Sequence, residues 1–362
     1  MKRSARITIH PEALQHNLQQ AKQAAPNAKA NAVIKANAYG HGVVETAGIL
    51  YQLADGFAVS CISEAVELRQ ASIDKPITVL QGHQTMDDLR IAENYQLRLS
   101  IHDKHQLSLL DEYTGSYRFD LNIKIDTGMH RLGLSSDQVT KVYNKLKNHR
   151  QVNPEQLILM THLSCADEQS NTYTQQQLDC FYQVTKTIPT PKTIANSAGI
   201  LGWKESHADW IRPGIMLYGS SPFSETHRDA LNLKAAMTFS APIISIHNLK
   251  KGDYIGYGAS YQCPKDMKVA VIACGYADGY PRHAATGTPV QINKQKVQLV
   301  GRVSMDMIVV DIDSFDDMSL HVGDLAELWG ENLSVDIVAK NAETIGYELL
   351  CNAGNNCAIN GT

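Results

Sequence analysis

Nowhere in this 362-residue sequence do about 18 apolar residues run together, so no segment is expected to cross a bilayer as a helix. A surplus of positive charge is also missing. Lys and Arg number 33 against 37 Asp and Glu, for a net charge of -4, which leaves no electrostatic ground for binding nucleic acid or an anionic membrane surface. The seven cysteines are an odd number without any C-x-x-C spacing, and they supply neither a disulfide framework nor a zinc pattern. No metal is expected. The first ten residues, M-K-R-S-A-R-I-T-I-H, are basic but lack the apolar stretch of a secretory signal, and a cytoplasmic protein is expected. The partners left to expect are a small molecule and another copy of the chain.

What the sequence does have is a rhythm. Eight β-rich apolar runs, at 32–36, 56–60, 77–81, 97–101, 121–125, 157–161, 193–195 and 210–212, alternate with helix-like segments. Two such segments are 62–70, with Ser63 as the expected N-cap, and 136–148, where Val139, Val142, Tyr143 and Leu146 fall on one face. Eight alternations predict an α/β fold with a closed (β/α)8 barrel of the TIM type, about 230 residues long. From residue 231 to 362 the texture is Val- and Ile-rich runs broken by Lys-Gly-Asp, Asp-Gly and Val-Gly-Asp turns, which predicts a mostly β second domain. One helix is expected in it, at 334–344 with Ser334 as N-cap. No linker separates the two domains.

The barrel runs hand over directly to polar groups: Lys35, Ser60, Gln81, Asp126, His162, Asn196 with Ser197, and Arg212. In such barrels those positions share one rim, the face on which active sites are built. Lys35 stands at the end of its run in A-V-I-K-A-N-A-Y-G-H-G (32–42), with Tyr39 four residues on. An inward ammonium is costly to desolvate unless it has a partner or a covalent role, whereas most lysines simply lie on the surface. Spacing alone favours the surface. Arg131 in D-T-G-M-H-R-L-G (126–133) is equally readable as a surface residue or as a fork for a carboxylate.

The string around Lys35 resembles the pyridoxal-phosphate-lysine segment of alanine racemases, and shares its first part with barrel-type amino-acid decarboxylases. The string at 126–133 resembles the same racemase family. So do T-H-L-S-C-A-D-E (161–168), A-N-S-A-G-I-L (195–201), R-P-G-I-M-L-Y-G (212–219), I-G-Y-G-A-S-Y (255–261), G-Y-A-D-G-Y (275–280), G-R-V-S-M-D (301–306) and T-I-G-Y-E-L-L-C (344–351), in the family's order. The resemblance implies racemisation of alanine with pyridoxal 5'-phosphate as cofactor, in a homodimer whose active sites are shared. It implies Lys35 and Tyr257 as the two catalytic bases, Tyr257 acting in the partner's site. The cofactor would meet Lys35, Tyr39, His162, Asn196, Ser197, Arg212, Gly214, Ile215 and Tyr347. Substrate would meet Arg131, the Met305 backbone and, at the entrance, Tyr276. Lys124 falls where the family carries a carbamylated lysine.

Arg212 would face the ring nitrogen of the cofactor, to which an arginine gives up no proton at neutral pH. That weakens the ring as an electron sink and favours return of the proton over transamination. A decarboxylase of this barrel class would be expected to use an acid there and to lack Tyr257. A non-catalytic pyridoxal-phosphate carrier would resemble only the first two-thirds. One departure from the family is visible: its usual Arg-Val-Pro segment is absent, and Asn356 stands where the arginine would be.

Overall fold

The structure is a computed structural model that describes residues 3–223, 226–316 and 319–360. The outermost residues of the two expected domains, Met1, Lys2, Gly361 and Thr362, lie outside the described residues. Eight parallel strands close a barrel in the expected order: β2 (Lys29–Val33), β3 (Gly56–Val59), β4 (Ile77–Val79), β5 (Arg98–Ile101), β6 (Leu121–Lys124), β7 (Ile158–Met160), β8 (Lys192–Thr193) and β9 (Trp210–Ile211). The ring shuts through Lys29 opposite Trp210. Strands β3 to β7 are buried at every residue, because barrel side chains fill one face and helices cover the other. This is why they read as unbroken apolar runs.

The helices between strands follow from apolar spacing and end chemistry. Helix Ser136–Lys147 buries Val139, Val142, Tyr143 and Leu146, as their shared face required. Helix Ile62–Gln70 has the expected span, but its N-cap is Cys61 and Ser63 does not cap it. The entry is held instead by Glu64, whose carboxylate reaches back to the Ser60 N–H at 2.7 Å.

The second domain is an eight-stranded sheet in the order β13-β16-β15-β14-β17-β10-β1-β18, with β13 also paired to β10. Its members are β10 (Met237–Leu249), β13 (Met267–Ile272), β14 (Pro289–Ile292), β15 (Gln295–Leu299), β16 (Ile308–Asp311), β17 (Leu325–Trp329) and β18 (Ala358–Asn360), while β11 (Tyr254–Ile255) and β12 (Tyr261–Gln262) form a separate hairpin. The remaining strand, β1 (Arg6–Ile9), comes from the start of the chain, antiparallel to β10 on one side and parallel to β18 on the other. The division expected at residue 230 did not anticipate that exchange.

Ser334 caps helix Val335–Asn341 as expected. A second helix, Gly346–Asn356, follows it and was not expected. It packs on the segment after Lys35 with backbone against backbone: a Cβ on Gly354 would lie 2.1 Å from the Gly40 Cα. No helix among the described residues is long and apolar enough to cross a membrane.

Candidate active site

Residues 36–39, directly after Lys35, make a left-handed turn. Ala36, Asn37, Ala38 and Tyr39 all have φ of 52–53°. This conformation costs about 1–2 kcal/mol per residue for L-amino acids, so it persists only because its surroundings fix it. Glu64 accepts the Ala36 N–H at 2.7 Å, and the Asn37 side chain accepts the Val43 N–H at 2.8 Å at the start of helix Val43–Leu50. The Tyr39 ring stacks on Tyr218 at 4.6 Å, and the Tyr218 hydroxyl donates to the Val33 carbonyl. His41, wholly buried, also packs on Tyr218, with ring centroids 4.6 Å apart. The result is a rigid seat that turns Lys35 into a cavity.

That cavity, about 680 Å³, opens at the carboxyl ends of the barrel strands and is lined by Lys35, Tyr39, Lys124, Arg131, His162, Asn196, Ser197, Arg212, Gly214, Ile215 and Tyr347. These are eleven of the residues expected at the site. Ser60, Gln81, Leu132, Met160, Thr161 and Cys351 complete most of the wall. Lys35, Lys124, Arg131 and Arg212 are basic, and among the described residues no Asp or Glu lines the space. The nearby Glu64 is committed to the backbone N–H groups of Ala36 and Ser60.

Crowded positive charge in a partly dry space decides the protonation states. Burial, then Arg131, lowers the Lys35 pKa. Lys124 falls from 10.5 to about 8 through burial, then Arg212, Arg131 and Lys35. Burial, reinforced first by Arg212, holds His162 well below its ordinary value, so the imidazole is neutral. Arg212 donates to Thr193 Oγ1 (2.5 Å), to the carbonyls of Thr161 (2.6 Å) and Ile194 (3.0 Å), and at 3.4 Å to His162 Nδ1. An arginine only donates, so His162 accepts at Nδ1 and carries its proton on Nε2.

On the opposite wall, Ser197 Oγ accepts the N–H groups of Gly214 (2.9 Å) and Met216 (3.3 Å). The N–H of Gly214, a residue expected to meet the cofactor, is thus turned to the serine, whose own hydrogen remains to donate. Burial keeps Tyr39 and Tyr347 protonated, as O–H donors, at neutral pH. The Arg131 loop is shaped by Asp126, which accepts the N–H groups of Gly128 and His130 (both 3.0 Å) and the His130 ring (3.0 Å).

The chain matches the family model described as alanine racemase, N-terminal domain, over residues 9–222, and that described as alanine racemase, C-terminal domain, over residues 236–359. The chain belongs to the alanine racemase family. It is 45% identical over 352 residues to an alanine racemase of Coxiella burnetii, covering 96% of each chain, and 42% identical over 351 residues to one of Halorhodospira halophila, covering 97% of this chain and 96% of that one. The crystal structure of a biosynthetic alanine racemase from Pseudomonas aeruginosa superimposes with a TM-score of 0.95 at 38% identity, over 99% of both chains. An alanine racemase from Bartonella henselae, solved with covalently bound pyridoxal phosphate, superimposes with a TM-score of 0.86 at 28% identity, again over 99% of both.

Three expected site residues of this alanine racemase family member lie outside the cavity of their own chain. Tyr257, Tyr276 and Met305 sit on second-domain loops and are exposed, Tyr257 by 69%. Tyr257 stands between Gly256 and Gly258, both with positive φ, and a Cβ on Gly258 would meet Arg302 at 3.0 Å. The Tyr276 N–H donates to the Ser304 carbonyl at 3.1 Å. The three loops therefore adjoin one another. Sequence reasoning missed Glu64, Thr193 and Tyr218. Only the E in residues 62–70 and the Y of R-P-G-I-M-L-Y-G carried any signal for them.

Proposed function

We propose that this protein interconverts L-alanine and D-alanine with pyridoxal 5'-phosphate bound through Lys35, in a homodimer in which each site takes Tyr257 from the other copy. The observation that carries the reading is the basic lining of the cavity: two arginines, two lysines and, among the described residues, no carboxylate, in a space that suits a doubly charged phosphate together with an amino-acid carboxylate.

The residues present fit the cofactor. The hydroxyls of Ser197, Tyr39 and Tyr347, with the Ile215 N–H beside Gly214, form a donor set for its phosphate, and Asn196 holds the turn behind them by accepting the Gly199 N–H at 2.9 Å. Arg212 is the group fit to face the ring nitrogen, and no acid is available to replace it. Once bound, the cofactor supplies a ring that draws electrons from the α-carbon of an amino acid attached to it.

The protein's own groups then do the proton work. Lys35 is held toward its neutral form and serves as base on the D face. Arg131 grips the substrate carboxylate as a charge-matched fork, joined by the Met305 N–H of the second copy. Tyr257 of that copy serves the L face, where the His162 Nε2–H, polarised by Arg212, would donate to its oxygen and ease loss of the phenol proton. Tyr276 flanks the entrance. Burying the α-carbon between two bases excludes water, so that each face exchanges through its own group. Seven unpaired cysteines fit a reducing, cytoplasmic setting.

A solvent-deuterium exchange assay with chirality read at the end tests this directly. Wild-type protein supplied with cofactor should racemise alanine with label entering Cα. Tyr257→Phe should lose exchange from L-alanine far more than from D-alanine, and equal losses would reject the assigned roles. Mixing Lys35→Ala with Tyr257→Phe chains should restore one site per mixed dimer. A decarboxylase would release carbon dioxide, and a carrier would bind cofactor without turnover.

A further inference from the structure

The exposed loops that bear Tyr276 and Met305 are one backbone-bonded unit. The N–H groups of Tyr276 and Ala277 donate to the carbonyls of Ser304 (3.1 Å) and Met305 (3.0 Å), and the Ser304 N–H closes its own turn on Met307 at 3.0 Å. Gly275 sits so close to this turn that a Cβ there would lie 2.3 Å from the Ser304 and Met305 carbonyl oxygens.

This unit brings two carboxylates to one edge. Asp278 is only 1% exposed and accepts the Gly275 N–H at 2.9 Å, and Asp306 is exposed beside it. Among the described residues, no cation of the barrel or of the sheet strands pairs with them. The cation comes from the start of the chain, three residues before β1: Arg3 bonds both oxygens of Asp278, Nη2 to Oδ2 at 3.1 Å, and Nη2 also meets Asp306 Oδ1 at 2.5 Å. The Cys357 thiol, just before β18, donates to the Asp278 carbonyl at 3.3 Å. Both ends of the chain are therefore fastened to the loop of Tyr276.

We infer that Arg3 is a positioning residue for substrate binding: its guanidinium clamps the Tyr276 and Met305 loops into one fixed relation, and so sets the carboxylate contact and entrance offered to the other copy's cavity. The inference rests on the alanine racemase reading. Without Arg3, Asp278 keeps a single N–H donor while buried, an unfavourable state for a carboxylate. It gains water by swinging outward, and the loop moves with it. Lys35 and Ser197 stand on the barrel and, among the described residues, share no hydrogen bond with this unit.

The test compares Arg3→Ala, Arg3→Lys and Asp306→Asn with Lys250→Ala, an exposed ion pair of the same domain, in cofactor-loaded protein of verified dimeric state. Arg3→Ala should raise KM for both alanine enantiomers at least five-fold, with kcat within two-fold of wild type and the cofactor absorption band unchanged. Added guanidinium should bring KM back toward wild type where equal urea does not. Asp306→Asn, which keeps the Asp278 pair, should give a smaller rise, and Lys250→Ala none. A wild-type KM in folded Arg3→Ala overturns the inference, as does a loss confined to kcat or to folded yield without guanidinium rescue. Failure of wild type itself to racemise alanine would instead refute the underlying function.

Discussion

Lys124 offers the sharpest chemical test of the cavity. Burial and the three neighbouring cations bring its pKa from 10.5 to about 8. At pH 7 that leaves roughly 300-fold more neutral amine than an ordinary lysine has, and at pH 8 about half is neutral. A neutral amine can add to carbon dioxide: its nitrogen bonds to the carbon, one N–H proton leaves to solvent, and a lysine becomes an anion. Among Arg131, Arg212 and Lys35 the product gains attraction where the ammonium suffered repulsion. Protein equilibrated at pH 8 with carbon-13 bicarbonate should therefore show a single slowly exchanging carbamate resonance, absent from Lys124→Arg. Arg131→Gln removes one cation, which both raises the Lys124 pKa and withdraws a partner from the carbamate, so the signal should fall. A wild-type protein without the resonance, or a resonance that persists in Lys124→Arg, would refute the reasoning.

Other outcomes follow from single contacts. Arg131→Ala should raise KM for alanine on the order of 100-fold, since a charge-assisted pair contributes about 1.5–3 kcal/mol, with the cofactor band retained; an unchanged KM would remove Arg131 from the substrate. Asn37→Ala loses the bond to the Val43 N–H and puts in the left-handed turn a residue that tolerates it less well than asparagine, so about 2 kcal/mol of destabilisation is expected by denaturant titration, against about 1 kcal/mol for Asn37→Gly, which loses the bond but relieves the turn; the reverse order would contradict the turn. His41 is held by burial at about 4, below the ordinary 6.5. The unfolded chain takes up a proton between those values while the folded one does not, so stability should fall by roughly 3 kcal/mol as pH drops from 6.5 to 4. His41→Phe, which keeps the ring beside Tyr218, should flatten that slope, and an equally steep slope would assign it elsewhere.

The barrel was legible because parallel strands buried on both faces leave continuous apolar runs, and the cavity residues because each run ended on a polar group. Other features had no local signature. In A-N-A-Y nothing by composition demands a left-handed turn, since Glu64 and Tyr218, distant in sequence, impose it. Helix Gly346–Asn356 carries two glycines and three asparagines, poor helix formers, and exists because packing against residues 35–40 overrides propensity. Strand β1 is four residues with an ordinary alternation, and only its partners β10 and β18 declare it. Cys61 caps without a side-chain hydrogen bond to the helix backbone, which is why Ser63 drew the expectation.

The contact of Gly40 with Gly354 also orders events in time. Lys35 leaves the ribosome early, while the helix that seats its turn is made some 300 residues later, roughly 15–60 s at ordinary elongation rates. Until then the strained turn lacks its outer support and β1 waits without either neighbour. A nascent barrel therefore emerges without the helix that seats the turn after Lys35, and a chain cut short before residue 346 never acquires it. The seat of Lys35 is thus completed only once residues 346–356 have been made and packed against it.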